Sequence, residues 1–250
     1  MTKQVIPLGN YPPHPSEAAL PLSQIPPSNL LALRESAYLA LRNGLIQGAF
    51  EPGVAVSVRS LAEKLELGIT PVREAVQRLV AERALEITRS RTLRVPMMNV
   101  SELKELYAIR MLLEGYATRR AAVRFTATDE IELGSVRRAL IQAHQRIDLP
   151  AALEYNRRFH FSIYAKCESY LLIAEIERLW VRAGPLLVSA LDKSELKSPL
   201  VDSLDLISEL CTALKLNRSQ KAERLMKELL RNGFKWQRLH LLAKSKISRR

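Results

Sequence analysis

Apolar residues recur along this chain at spacings that divide it near residue 100. In residues 31–49, Leu33, Ala37, Leu41 and Leu45 fall every four positions and Ala40 widens the stripe, which predicts an amphipathic helix. Glu51-Pro52-Gly53 is a turn signal, and Val54 to Val58 reads as a short strand. Ser57 or Ser60 caps a helix over about 60–66. A further helix over 70–83 buries Val72, Ala75, Val76, Leu79 and Val80, with Pro71 in the first turn, where its missing N–H costs no bond. Leu85 to Thr88 and Leu93 to Met97 are short, partly β-branched runs joined by the basic turn Arg89-Ser90-Arg91-Thr92, a small hairpin.

After Ser101 the pattern is helical throughout, in windows of roughly 101–122, 127–146, 149–167, 169–190, 197–216 and 219–242. Asn99 or Ser101 caps the first, Thr126 or Thr128 the second, and Asp148-Leu149-Pro150 breaks the chain before the third. Six such helices bury a core only against one another. The expected fold is therefore dominated by α-helix: an N-terminal winged helix-turn-helix with a β-hairpin wing over 31–97, then an all-helical bundle of about six helices over 98–243. Seven of the thirteen prolines lie in the first 27 residues, so 1–30 reads as a solvated, disordered tail, and 244–250 as a basic one.

Composition narrows the partners. The formal net charge is +12, which favours an anionic partner. Aromatic residues are only 6%, too few for recognition of single strands by stacking. Cys167 and Cys211 have no metal-ligand spacing and no disulfide framework. There is no run of eighteen apolar residues and no signal-peptide pattern in the first thirty, so a soluble, cytoplasmic protein without membrane contact is expected. No placed nucleophile, paired-carboxylate signature or phosphate-cradling glycine loop points to an enzyme.

In a helix-turn-helix the second helix enters the major groove of duplex DNA. Its outward face here carries Thr70, Arg73, Glu74 and Gln77. Arg73 and Gln77 lie four apart and point the same way, and both side chains can grip base edges at two points. Arg59 is placed for a phosphate, and Arg89, Arg91 and Arg94 of the wing for further phosphates. Residues 31–97 hold ten Lys/Arg against seven Asp/Glu, an excess concentrated in the wing. A winged helix that only contacts other proteins, or a regulator that has lost specific operator or effector binding, stands as the alternative.

At these residues the chain resembles the GntR family of bacterial transcription regulators, in its FadR-type branch with an FCD effector domain. The resemblance is carried by Ala40-Leu41-Arg42, Leu45-Ile46-Gln47-Gly48, Glu51-Pro52-Gly53, Val58-Arg59-Ser60-Leu61-Ala62-Glu63-Lys64-Leu65 and Thr70-Pro71-Val72-Arg73-Glu74-Ala75 in the head. In the second half it rests on Leu106 to Glu114 and Asn156-Arg157-Arg158-Phe159-His160. It implies a homodimeric regulator on a short palindromic operator, with a small-molecule effector, often an organic acid, in the helical domain. The chain departs from the family pattern where Gly68 and Ile69 replace a serine and an arginine, and where Arg83 or Ala84, and Thr92, replace wing glycines. Ile69 then offers an apolar contact to a thymine methyl instead of a guanidinium to a base edge.

Within the helical half, Arg110 sits in the apolar stripe Leu103, Leu106, Tyr107, Leu113 and Ala117. A buried guanidinium needs a partner, which is either Glu114 four residues on or an anionic ligand. Asn156 and His160 lie four apart on an inward face with Ala152, Phe159 and Ile163. His160 is either a satisfied core histidine or, with Asn156 and Arg110, a contact for the effector. In the family these two positions are Asp and His and bind a metal with two further histidines. Here those further positions are Ile207 and Leu229, so a metal-free domain without a cofactor is expected.

Overall fold

The computed structural model describes residues 30–190 and 203–247. The proline-rich tail and the last three residues of the basic tail therefore lie outside the described residues. The head runs α1 (Leu30–Ile46), β1 (Ala55–Val56), α2 (Val58–Leu65), α3 (Ile69–Ala81), β2 (Glu86–Ile87) and β3 (Leu93–Arg94). It is followed by α4 (Val100–Ala122), α5 (Ala127–Gln145), α6 (Leu149–Ala165), α7 (Tyr170–Ala190), α8 (Leu204–Lys215) and α9 (Ser219–Ile247). Among the described residues no strand follows α4.

The three short strands form one antiparallel sheet in the order β1-β3-β2, with Ala55 opposite Arg94 and Glu86 opposite the same residue on the other side. Only two residues of each run join the ladder, so the strands are shorter than the β-branched runs suggested. The head core is Ala37, Leu41 and Leu45 of α1 against Val72, Val76 and Leu79 of α3, all buried. The four-residue spacing of α1 and the i, i+3, i+4, i+7 spacing of α3 create these two facing stripes.

Helix ends follow local chemistry. α1 stops three residues before the expected 49 because Gly48 adopts a left-handed backbone (φ +69°) and the Ala49 N–H closes back on the Gly44 carbonyl at 2.8 Å. Ser57 caps α2 and exchanges bonds with Ser60, which starts that helix two residues earlier than its apolar pattern. Gly68 is the N-cap of α3 and contributes no side-chain bond. α3 ends at Ala81 because Arg83, at one of the two positions where the family's glycine would fall, turns left-handed (φ +57°); Arg91, next to Thr92, is also left-handed in the wing turn (φ +60°). Asn99, Thr126 and Asp148 cap α4, α5 and α6. α8 begins at Leu204, and the expected residues before 203 lie outside the described ones. α9 runs to Ile247, past the expected 242, since no glycine or proline follows Leu242 within it and lysines suit a helix C-terminus.

α4 is the hub of the helical half and packs on α6, α7, α8 and above all α9. Head and bundle meet where α1 lies on α7. Gly184 makes that approach possible: a Cβ there would sit 2.6 Å from the Ile46 carbonyl oxygen and 2.7 Å from that of Leu45. Arg42 of α1 pairs with Glu177 of α7 at 2.7 Å, with 6% and 13% of the two side chains exposed.

Candidate DNA-reading face and effector pocket

On α3, Pro71, Val72, Ala75, Val76 and Leu79 face inward. That leaves Ile69, Thr70, Arg73 and Gln77 exposed along the opposite row, as their spacing required. Glu74 is turned away from this row by an ion pair to Arg34 of α1. Arg78 is held against the head: its guanidinium stacks 3.5 Å above the Tyr38 ring and bonds Glu35 at 2.8 Å. Burial, with Glu82 beside it, pushes the Tyr38 hydroxyl up to about 12. Arg59 is exposed and pairs loosely with Glu63 at 3.4 Å. Arg89 and Arg91 are exposed at the wing tip. Arg94 gives its Nε–H to Glu86 across the sheet at 2.6 Å and keeps its other N–H groups, with 36% of the side chain exposed.

The second site is a cavity of about 70 Å³ inside the helical bundle, on the side that faces the end of α1. One water needs roughly 10–15 Å³ on this measure, so the space suits several waters or one small organic molecule. Arg110 of α4, Asn156 and His160 of α6, Trp180 and Gly184 of α7, and Gln237 of α9 contribute to its wall. The three residues expected at an effector site are thus brought together. Ile46, the last residue of α1, also lines it, so the head itself forms part of the wall.

Both alternatives for Arg110 bear on this wall. It is 5% exposed and its Nε–H donates to Glu114 Oε1 at 2.6 Å, so the internal carboxylate is its partner. Glu114 is fully buried, and its Oε2 also accepts from the Tyr164 hydroxyl at 2.5 Å and the Trp180 indole N–H at 3.0 Å. Burial works against the charge on Arg110, but Glu114 and then Tyr107 outweigh it and raise its pKa. A guanidinium has five N–H donors, so a partner on one edge leaves others for a second acceptor.

His160 is held by Tyr164, with Nδ1 2.9 Å from the hydroxyl oxygen. The Tyr164 hydrogen is committed to the short bond with Glu114, so Tyr164 accepts and His160 Nδ1 carries the proton. Nε2 is then an acceptor on a residue of the cavity wall. Burial drives the imidazole down to about 4, with Glu114 acting the other way and Arg110 reinforcing it, so His160 is neutral at pH 7.

Ile207 and Leu229 do line the cavity. The candidate ligands on the same wall are one imidazole and two amides, with no carboxylate or thiol, a set that does not fit a divalent metal. Among the described residues no group of three or more His, Cys, Asp or Glu is placed to hold one. Sequence reasoning missed Tyr164, Trp180, Gln237 and Ile46. Gln237 was visible as a polar residue following Leu230 and Gly233 at helical spacing; the indole of Trp180 and the end of α1 come from other parts of the chain and left no local signal.

A winged helix with an open α3 face, carried on a helical bundle with a ligand-sized cavity, is the architecture of an effector-responsive DNA-binding regulator. Comparison with known proteins agrees. Residues 33–95 match the model of bacterial regulatory proteins of the gntR family, and residues 105–232 match the FCD domain. The chain belongs to the GntR family, with a C-terminal FCD domain. It is 36% identical over 160 residues to the HTH-type transcriptional regulator McbR of Escherichia coli (strain K12), covering 63% of this chain and 72% of the relative. It is 28% identical over 200 residues to the HTH-type transcriptional repressor GlaR of the same organism, covering 77% and 90%. The solved structure of E. coli McbR/YncC superposes with a TM-score of 0.73 at 32% identity, covering 80% of this chain and 93% of that one. A putative GntR regulator from Rhodococcus sp. RHA1 shares the fold, with a TM-score of 0.65 at 20% identity over 80% and 95%. The chain is a sequence-specific DNA-binding transcriptional regulator of a small-molecule-responsive family. Among the described residues no helix is long and apolar enough to cross a membrane.

Proposed function

We propose that the chain acts in the cytoplasm as a homodimer on a palindromic operator, reads each half-site with α3, and releases or tightens its grip when a small organic acid enters the cavity. The observation that carries this reading is the exposed row Ile69, Thr70, Arg73 and Gln77 on a helix whose other face is fully packed. Arg73 and Gln77 read base edges, Ile69 meets a thymine methyl, and Thr70 and Arg59 hold the backbone. Arg89 and Arg91 extend the phosphate contacts from the wing. The working units are the head over 31–97 and the effector and dimerisation domain over 98–243.

Pairing of two copies is supported by α4, whose outer face exposes Ile109 (46%), Leu112 (65%) and Tyr116 (50%) at helical spacing. Such a stripe serves a self-complementary contact about a two-fold axis, matching the symmetry of a palindrome. The effector's carboxylate is met by Arg110 N–H groups beyond those Glu114 takes and by the Asn156 amide. Because Ile46 and Gly184 share the cavity wall, an occupant bears on the seat of α1 on α7 and hence on the head. Selection of bound duplexes from a random library tests the proposal: a palindromic consensus is expected, and enrichment of no sequence over random DNA refutes it.

A further inference from the structure

Gln237 of α9 is 1% exposed, and neither its Oε1 nor its Nε2 has a hydrogen-bond partner. On the wall of a cavity with room for several waters or one small molecule, both its donor and its acceptor stay open to the occupant. Buried polar groups of native proteins nearly always find partners, so the exception calls for a role. Gln237 also lies on the wall of the cavity, and the torsion that swings its amide is soft and broad. Nothing in the packing of α9 uses the amide; the surrounding wall residues Leu229, Leu230, Ile207 and Tyr107 are mainly apolar.

We infer that Gln237 is a specificity-determining residue of the cavity and recognises an effector that carries an N–H and a C=O side by side, as on the edge of a lactam. The argument is one of complementarity. An amide offers an adjacent donor and acceptor, and the group that satisfies both at once presents an acceptor and a donor at the same spacing. The wall beside it is neutral: the charge of Arg110 is balanced by Glu114 at 2.6 Å, and His160 contributes an acceptor. The cavity volume of about 70 Å³ suits a ligand of one small ring. This inference rests on the cavity being the effector site, and it adds the part of the ligand that sits away from Arg110.

Matched ligands separate the two readings. Binding of 2-pyrrolidone-5-carboxylate, cyclopentanecarboxylate and 2-pyrrolidone to the full chain is measured by calorimetric titration, with Gln237→Met and Gln237→Leu alongside. The lactam acid is expected to bind the wild type roughly tenfold more tightly than the carbocyclic acid, the yield of one to two net hydrogen bonds. In both variants that ratio should fall to about one while unfolding in urea stays cooperative. Equal binding of the two acids to the wild type overturns the role of Gln237 and leaves the organic-acid reading standing. Binding of 2-pyrrolidone as tight as that of the lactam acid overturns the organic-acid reading and supports Gln237. Failure of all three to bind overturns both. Loss of cooperative unfolding in both variants overturns the inference too, because it would show that the amide supports the fold.

Discussion

Replacing Arg42 by methionine tests how the effector domain holds the DNA-reading head. Arg42 reaches from α1 to Glu177 on α7 at 2.7 Å, and both side chains are almost closed off from solvent. At an effective dielectric near 20 the gross attraction at that distance is about 6 kcal/mol. Most of this offsets the cost of removing two charges from water, so the pair is nearly neutral as a unit, yet removing one partner typically costs about 3–5 kcal/mol. The lower end applies here, since methionine keeps the packing of the arginine stem. A loss of about 3 kcal/mol at one contact loosens α1 from α7 without unpacking either half. Both tryptophans, Trp180 and Trp236, belong to the bundle, so fluorescence follows the bundle alone while circular dichroism follows the whole chain. In urea the variant should show a dichroism transition that begins before the fluorescence transition, whereas the wild type shows the two together. Its operator affinity should also stop responding to effector, as the proposed coupling through the seat of α1 on α7 requires. The double variant Arg42→Met/Glu177→Leu should regain most of the stability. Coincident transitions at the wild-type midpoint in the single variant, with the effector response intact, would refute the reasoning.

Glu114→Gln leaves the buried Arg110 without a charge partner and should cost about 3 kcal/mol in urea unfolding, most of which the paired swap Arg110→Met/Glu114→Gln should recover, because glutamine keeps an acceptor for Tyr164 and Trp180; a single variant as stable as wild type would contradict the assignment of Glu114 as the partner of Arg110. His160 has a folded pKa near 4 against an ordinary 6.5, so the unfolded chain binds the extra proton and stability falls as pH drops from about 6.5 towards 4. That limb is worth about 3 kcal/mol in full and about 2 kcal/mol between pH 7 and 5, and His160→Gln should flatten it in urea titrations at pH 7, 6 and 5. Leu112→Glu, in the middle of the exposed α4 stripe, should sediment as a monomer and lose affinity for a palindromic site while keeping its helical content; a persistent dimer places the interface elsewhere.

The head was legible because its periodicities are local: the stripes of α1 and α3 and the turn at Gly53 fix three helices and a sheet within 65 or so residues. Boundaries were less so. The end of α1 depended on Gly48, a plain stop signal, but the end of α3 depended on Arg83 taking a backbone angle that its type disfavours. The pocket was half legible. Asn156 and His160 share a face by spacing, and Arg110 lies in an apolar stripe, so their convergence was accessible. The decision between Glu114 and a ligand as the partner of Arg110 was not, since it turns on the Tyr164 and Trp180 donors that gather on Glu114 from two other helices. The contribution of Ile46 was hidden for the same reason: it depends on how α1 lies on α7.

The account rests most on α3 reading bases through Arg73. The direct measurement is titration of the selected operator and a scrambled duplex with wild type and Arg73→Ala, at two salt concentrations, with circular dichroism confirming the fold. Loss of a two-point arginine contact should remove about 1–3 kcal/mol of discrimination, roughly 5- to 150-fold, while binding to the scrambled duplex falls far less. An unchanged preference for the operator in a folded Arg73→Ala protein would contradict the account.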